Sequence, residues 1–175
     1  MRIKILPGSF RGFTLLELVV VFSIIAILST IGVASYVNYA ASQNLRQAYY
    51  DVFNTLNYAR ASAISQVKPL SNCSNSTTLE GYSVTIKTRT SPTNPNTYVL
   101  NVICSSTTIP LSTKTLPTGV VFNTAADNPP TTSTDLIFSV LTSGVSNPGN
   151  VVLSYPSNSN VSAKTITVSS VGGIQ

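Results

Sequence analysis

Apolar residues are distributed in three different ways along this chain of 175 residues. Residues 13–37 are almost continuously apolar, and residues 38–67 are apolar at every third or fourth position. From residue 68 onward, short apolar runs alternate with clusters of Ser, Thr, Asn and Pro. The first two patterns predict a helix that is apolar all round at first and then on one face only. The third predicts strands separated by turns.

The first pattern is long enough for a membrane span. A helix over residues 13–37 is roughly 37 Å long at about 1.5 Å per residue, whereas the hydrocarbon core of a bilayer is about 30 Å thick. Arg2, Lys4 and Arg11 precede it, and basic residues in this position keep an N-terminus in the cytoplasm. We therefore predict one transmembrane helix over residues 13–37, surrounded by lipid of the cytoplasmic (inner) membrane, with the following part of the chain outside the cytoplasm.

The second pattern predicts that the same helix continues over residues 38–67 with one buried face. The apolar residues expected on that face are Leu45, Tyr49, Val52, Phe53, Leu56, Ala59, Ala63 and Ile64. Polar residues occupy other parts of this helix, among them Arg46, Gln47, Asp51 and Asn54. Because helical geometry is disfavoured for a residue that precedes proline, Lys68-Pro69 predicts that the helix ends near Val67.

The third pattern predicts a β head over residues 68–175. Strands are expected at 82–87, 98–104, 120–122, 136–140, 151–155 and 164–168. Turn-forming residues separate them at 90–96, 123–135, 143–150 and 156–163. The predicted fold class is therefore α+β, with a long N-terminal helix, half transmembrane and half amphipathic, packed on an antiparallel β-sheet head.

Composition argues against several kinds of active site. The chain has no histidine, two cysteines and five Asp or Glu residues. Catalytic pairs that need histidine are therefore impossible, and the acids of the head, Glu80, Asp127 and Asp135, lie in turn-like contexts. We predict no enzyme, no metal site and no cofactor. The net charge is +5, but only +2 remains after residues 1–12, which argues against a nucleic-acid partner.

Glu17 is the one charged residue between Arg11 and Arg46. A carboxylate at the centre of a membrane span costs about 2.5–3.5 kcal/mol or more, so it indicates a function. Two ordinary alternatives are a signal peptide cleaved near Ser35 and an uncleaved signal anchor. The apolar run is too long for the first, and neither alternative explains Glu17.

The segment Gly12-Phe13-Thr14-Leu15-Leu16-Glu17 resembles the class III signal of type IV pilins and type II secretion pseudopilins. The resemblance implies that prepilin peptidase cuts after Gly12, that Phe13 becomes the N-methylated first residue, and that Glu17 is needed for assembly. It further implies an inner-membrane assembly platform and other pilin or pseudopilin subunits as partners. The expected product is a structural subunit of an extracytoplasmic filament, with residues 1–12 as its cleaved leader.

Elementary electrostatics agrees with that role for Glu17. Cleavage leaves a cationic amine on Phe13, and a carboxylate four residues later lies near the positive end of the helix dipole. Within an apolar bundle, Glu17 of one subunit can pair with the Phe13 amine of a neighbour. A missing partner leaves a buried charge uncompensated, so the pair can set the register between subunits.

A second segment, Leu56-Asn57-Tyr58-Ala59-Arg60-Ala61-Ser62-Ala63-Ile64, resembles the H-type pseudopilins and FimT-type minor pilins, as do parts of the later strands. Arg60 either reaches a partner or is a solvated residue at the side of the helix. The FimT resemblance leaves DNA uptake as an alternative function. That activity needs a basic cluster, and the tail Val168–Gln175 has no basic residue. An uncleaved surface adhesin is the other alternative.

Cys73 and Cys104 are the only cysteines. Disulfides persist in the oxidising compartments outside the cytoplasm, so export of the head predicts a bridge between them. It would tie the loop after the helix to the end of a strand and stabilise the head by about 3–4 kcal/mol. Two buried thiols are the alternative.

Overall fold

The structure is a computed structural model that describes residues 12–74, 76–88, 96–123, 133–142 and 144–175, without the side chains of residues 30–34 and 133. One helix, α1 (Leu15–Ile64), is followed by strands β1 (Leu79–Lys87), β2 (Thr97–Cys104), β3 (Thr107–Thr115), β4 (Val121–Asn123), β5 (Ser133–Ser139), β6 (Val145–Ser146), β7 (Gly149–Ser154) and β8 (Lys164–Val168). The chain divides into two compact units, one ending at Val37 and the other beginning at Asn38.

The strands form two antiparallel sheets, both within the second unit. The larger has the order β3-β2-β1-β5-β6 and the smaller the order β4-β7-β8. Every pairing between neighbouring strands is antiparallel. The predicted α+β class, a long N-terminal helix followed by an antiparallel β head, is confirmed. The predicted turn residues 90–95 and 124–132 lie outside the described residues.

Two strands were not predicted from the sequence. Strand β3 is polar and contains Pro110, so its composition resembles a loop. It is the outer strand of the larger sheet, where a proline that cannot donate a ladder hydrogen bond is tolerated. Leu100 pairs with Ser112 and Asn101 with Pro110, so Leu111 is the extra residue of a bulge. Strand β6 has only two residues and lies in a predicted turn region.

The core of the head forms where one face of α1 meets one face of the larger sheet and the smaller sheet. The buried helix residues are Ala41, Leu45, Ala48, Val52, Leu56, Ala59 and Ala63. They share a core with sheet residues that include Tyr82, Val84, Tyr98, Leu100, Val102, Leu136 and Phe138. The spacing of three and four places all of these helix positions on one side of α1.

The predicted helix face is largely confirmed. Five of its apolar residues are buried as expected, namely Leu45, Val52, Leu56, Ala59 and Ala63. Tyr49 and Phe53 are partly buried against the core, with ring centroids 6.0 Å apart. The prediction for Ile64 is wrong, because it is 45 % exposed at the last residue of the helix. Ala41 and Ala48 belong to the same face but were not predicted.

The helix ends at Ile64, short of the predicted Val67. Gln66 adopts a left-handed conformation with φ of 51°. The N–H of Gln66 donates to the carbonyl of Ala63 (3.3 Å) and the N–H of Val67 to that of Ser62 (3.1 Å). These are the two hydrogen bonds of a Schellman motif, which satisfies the last helical carbonyls and ends the helix before Pro69.

The predicted disulfide is confirmed. Cys73 and Cys104 are bonded, their Cα atoms are 6.0 Å apart, and both residues are buried. A second contact holds the same region, since the Tyr82 hydroxyl donates to the carbonyl of Val67 at 2.6 Å. The loop after α1 is therefore joined to β1 and β2 of the larger sheet.

Leu56→Ala should lower the free energy of unfolding of the head by about 2–5 kcal/mol, because it opens a cavity at a fully buried position. Ile64→Ala is the matched control on the same helix, and it should change the value by less than about 0.5 kcal/mol. Chemical denaturation in detergent, followed by circular dichroism, measures both. Equal losses at the two positions would contradict the assigned helix face.

Candidate assembly site at the start of helix α1

Thr14 is the N-cap of α1. Its carbonyl accepts the N–H of Leu18 at 3.2 Å, which is the first hydrogen bond of the helix. Its side-chain oxygen, Oγ1, accepts the N–H of Glu17 at 3.3 Å. A capping side chain thus satisfies one of the N–H groups that the first turn leaves without a helical partner.

Glu17 occupies the third position of the helix, within its first turn. A carboxylate there is stabilised by the positive end of the helix dipole. Thr14 and Glu17 together have the Thr-x-x-Glu spacing of a capping box. Glu17 was predicted from the sequence, whereas the capping role of Thr14 was not, although this spacing is the signal that indicates it.

The two residues at the predicted cleavage junction precede the helix. Gly12 and Phe13 are both exposed and non-helical, and no atom of the surrounding structure lies within 4 Å of a Cβ built on Gly12. Residues 1–11 of the predicted leader lie outside the described residues. Gly12 and Phe13 therefore lie outside the helix, and Phe13 stands next to the first turn that carries Glu17.

The start of the helix presents apolar side chains in every direction. From Phe13 to Leu28, each large apolar side chain is at least 46 % exposed, and Phe13 itself is 78 % exposed. The hydroxyls of Ser23 and Ser29 donate to helical carbonyls of Val20 (2.8 Å) and Ile25 (2.7 Å). The described polar groups of this surface are thus partly satisfied within the helix, as an apolar environment requires.

The described residues contain neither a membrane-span candidate nor a metal-binding cluster. No described helix contains an apolar stretch that is long enough to qualify as a membrane span. Across the same residues, no group of three or more His, Cys, Asp or Glu side chains could hold a metal ion.

Two family models match the chain, one near its start and one over most of the rest. The prokaryotic N-terminal methylation motif matches residues 8–33, which include Gly12, Phe13 and Glu17. The type II transport protein GspH matches residues 51–172, more than half of the chain. The chain belongs to the GspH family of type II transport proteins. Its predicted resemblance to type IV pilins and type II secretion pseudopilins is confirmed.

The pilin and pseudopilin families are families of structural proteins. No curated protein and no solved structure matches the chain. The methylation motif ends before the β head begins, and the GspH match begins on the amphipathic part of α1. The two matches therefore cover different parts of one helix: its start, and the later turns on which the head packs.

Thr14→Ala should weaken the first turn of α1 by about 1 kcal/mol, because it removes the capping oxygen. The amides of Glu17 and Leu18 should then exchange with solvent about fivefold faster. Thr14→Ser is the matched control, since it keeps the hydroxyl. Hydrogen exchange measured by NMR in detergent micelles tests this, and equal exchange in both variants would show that Thr14 does not cap the helix.

Proposed function

We propose that this chain is a filament subunit of a type IV pilus-like or type II secretion system, released from its leader between Gly12 and Phe13 and assembled through α1. The observation that carries the proposal is a capped helix, apolar all round, with Glu17 in its first turn directly after an exposed Gly12–Phe13 junction. An anchor alone needs the apolar surface but not the carboxylate.

Cleavage after Gly12 creates a positive charge where the structure has an exposed chain segment. The new amine belongs to Phe13, and N-methylation of an amine preserves its charge. Glu17 supplies the opposite charge one helical turn later. When subunits pack α1 against α1, the Phe13 amine of one copy and Glu17 of its neighbour neutralise each other in an environment of low dielectric.

Pairing of these charges sets the axial position of each subunit. An apolar helix surface tolerates sliding, because one apolar contact replaces another. A buried charge does not, since removing its partner costs about 3–5 kcal/mol. The subunit is therefore expected to settle where each Phe13 amine meets a carboxylate.

The expected partners follow from this order of events. Prepilin peptidase acts on the precursor in the inner membrane, where lipid covers the apolar part of α1. An assembly platform in the same membrane then transfers the subunit to neighbouring pilins or pseudopilins in an extracytoplasmic filament. The Cys73–Cys104 bridge supports an oxidising location for the head.

The tail of the described head offers nothing to a DNA-uptake function. Thr167 and Gln175 exchange two backbone hydrogen bonds, at 2.9 and 3.0 Å, so the last residues fold back on β8. Residues 168–175 carry no Lys or Arg. Phosphate contacts dominate the affinity of DNA-binding proteins, and no observation on this part of the chain favours that function.

Glu17→Gln should lower incorporation into filaments at least tenfold. Glutamine at this position still fits a capping box, so the variant removes the charge while the start of the helix stays intact. The Phe13 amine of a neighbour then enters the apolar bundle without a counter-ion, which opposes assembly. The measurement compares the variant with wild type in membrane and sheared-filament fractions of cells that carry the secretion machinery.

The control is Glu80→Gln, the same chemical change in the exposed part of the head, where Glu80 accepts a hydrogen bond from Ser106. It should enter filaments at the wild-type level. Both variants should insert into the membrane and form the Cys73–Cys104 bridge. Wild-type amounts of Glu17→Gln in filaments would refute the role of this charge and favour an anchored surface protein.

A further inference from the structure

A groove of about 290 Å³ opens beside α1 on the head. Its walls come from two turns of the helix and from the neighbouring strands β2 and β3, and its lining residues are Asn54, Thr55, Tyr58, Tyr98, Leu100, Ser112 and Lys114. Tyr58 is 56 % exposed, whereas Tyr98 and Leu100 are buried. The groove thus has an apolar floor and a polar, solvent-accessible rim, as binding pockets commonly do.

The floor of this groove is well shielded from water. Burial raises the pKa of Tyr98 to about 12; the negative charge of Asp51 acts in the same direction, and a hydrogen bond with the Thr55 side chain opposes both. Asp51 lies one helical turn before Thr55. A bound group with a positive charge would therefore be attracted to the side of the groove near Asp51.

The opposite side of the groove is basic. Lys114 is the one charged residue among its lining residues and is exposed on β3. It forms no ion pair with any other part of the chain that the structure describes. An apolar floor with a free ammonium group at its rim fits an apolar contact that is accompanied by a carboxylate.

This chain carries such a carboxylate elsewhere on its surface. Asp135 is exposed near the start of β5, and within the described residues its side chain has no partner. The other head acid of the described part, Glu80, already accepts hydrogen bonds from Ser106. Asp51 faces Tyr98, and Glu17 belongs to the assembly site. Among the acidic side chains that the structure describes, Asp135 is therefore the one left to pair with Lys114.

Lys114 and Asp135 point to opposite faces of the larger sheet. Lys114 pairs across the strands with Tyr98, on the face that packs against α1. Asp135 pairs with Thr85, and Thr85 with Val99, on the other face. Their strands are also three positions apart in the order β3-β2-β1-β5, or roughly 14 Å. The two charges cannot meet within one chain.

A contact between two copies of a protein is heterologous when each copy uses a different patch of its surface. Such contacts do not close after two copies but continue into rings or helical filaments. The placement of Lys114 and Asp135 on opposite faces therefore suits a filament rather than a symmetric dimer.

We propose that the groove lined by Tyr58, Tyr98 and Lys114 binds the β5 region of a second copy of this chain, with Lys114 of one copy paired to Asp135 of the next. This contact between heads rests on the proposed function as a filament subunit. It adds a second, exposed register contact to the one made by Glu17 at the start of α1.

Cysteine cross-linking in filaments tests the contact directly. The two native cysteines are bonded to each other, and the described chain has no free thiol. A chain that carries both Lys114→Cys and Asp135→Cys should give a ladder of dimers, trimers and longer species on non-reducing gels. Cells that co-express the two single variants should give dimers and no longer species, and each single variant alone should remain monomeric.

Charge reversal gives an independent result. Lys114→Glu and Asp135→Lys should each lower the amount of chain in filaments about tenfold, because like charges then face each other. The double variant should recover to within about twofold of wild type, since the pair is restored with exchanged partners. Lys164→Glu, the same change on the exposed start of β8, is the matched control and should behave as wild type.

The outcomes separate this proposal from the proposed function. If wild-type chain and the Glu17 variant behave as expected but the double-cysteine chain stays monomeric, the head contact is wrong and the filament role stands. A product that stops at dimers in the double-cysteine chain, or a cross-link to a different protein, also overturns it. If wild-type chain never enters filaments, both proposals fall.

Discussion

The charge of Glu17 is the constraint on which the proposed assembly through α1 depends. It lies in the first turn of a helix whose other described side chains, from Phe13 to Leu28, are almost all apolar and exposed. Any environment that covers those side chains also removes Glu17 from water. The helix dipole and the Thr14 cap stabilise the carboxylate only in part. A cationic partner is therefore needed when the surface is buried, and under the proposed function that partner is the amine that cleavage creates on Phe13.

The same helix changes its role along its length. Its start is apolar all round, whereas from Ala41 to Ala63 only one face is buried. Outside that face the helix carries exposed tyrosines, among them Tyr50 and, at the rim of the groove, Tyr58. The Schellman motif ends α1 at Ile64, and the bridge from Cys73 to Cys104 then attaches the following loop to the sheet. The head is thus tied to the later turns of α1, and the groove beside Tyr58 exists because that helix and the edge of the sheet are held together.

Much of this architecture could be predicted because it depends on local patterns. Strands β1 and β2 alternate apolar and polar residues, and the helix face repeats every three to four positions. Strand β3 could not be predicted, since Thr, Pro and Lys dominate it and its pairing with β2 comes from tertiary structure. Ile64 fits the helical period but lies at the exposed last position. The groove has no local signal, because its walls come from residues near 55, 98 and 112.

The functional residues also divide into those with a local sequence signal and those that only the tertiary structure brings to attention. Gly12, Phe13 and Glu17 were identified from a short motif, and the matched methylation motif spans residues 8–33, which include all three. Their individual roles stay predictions. Thr14 was overlooked, although its Thr-x-x-Glu spacing to Glu17 is a sequence signal for a capping residue. Lys114 and Asp135 are far apart in the sequence, and only the strand register shows that they point to opposite faces of one sheet.

Intact mass of the protein extracted from membranes is the most direct test of the central claim that the charge on Phe13 is made to meet Glu17. The expected mass is that of a chain from Phe13 to Gln175, increased by the CH2 that one N-methylation adds and decreased by the two hydrogens lost in the Cys73–Cys104 bridge. A mass that retains Met1, or one that begins near Ser35, would contradict it. In the first case no amine forms beside Glu17, and in the second Glu17 itself is removed.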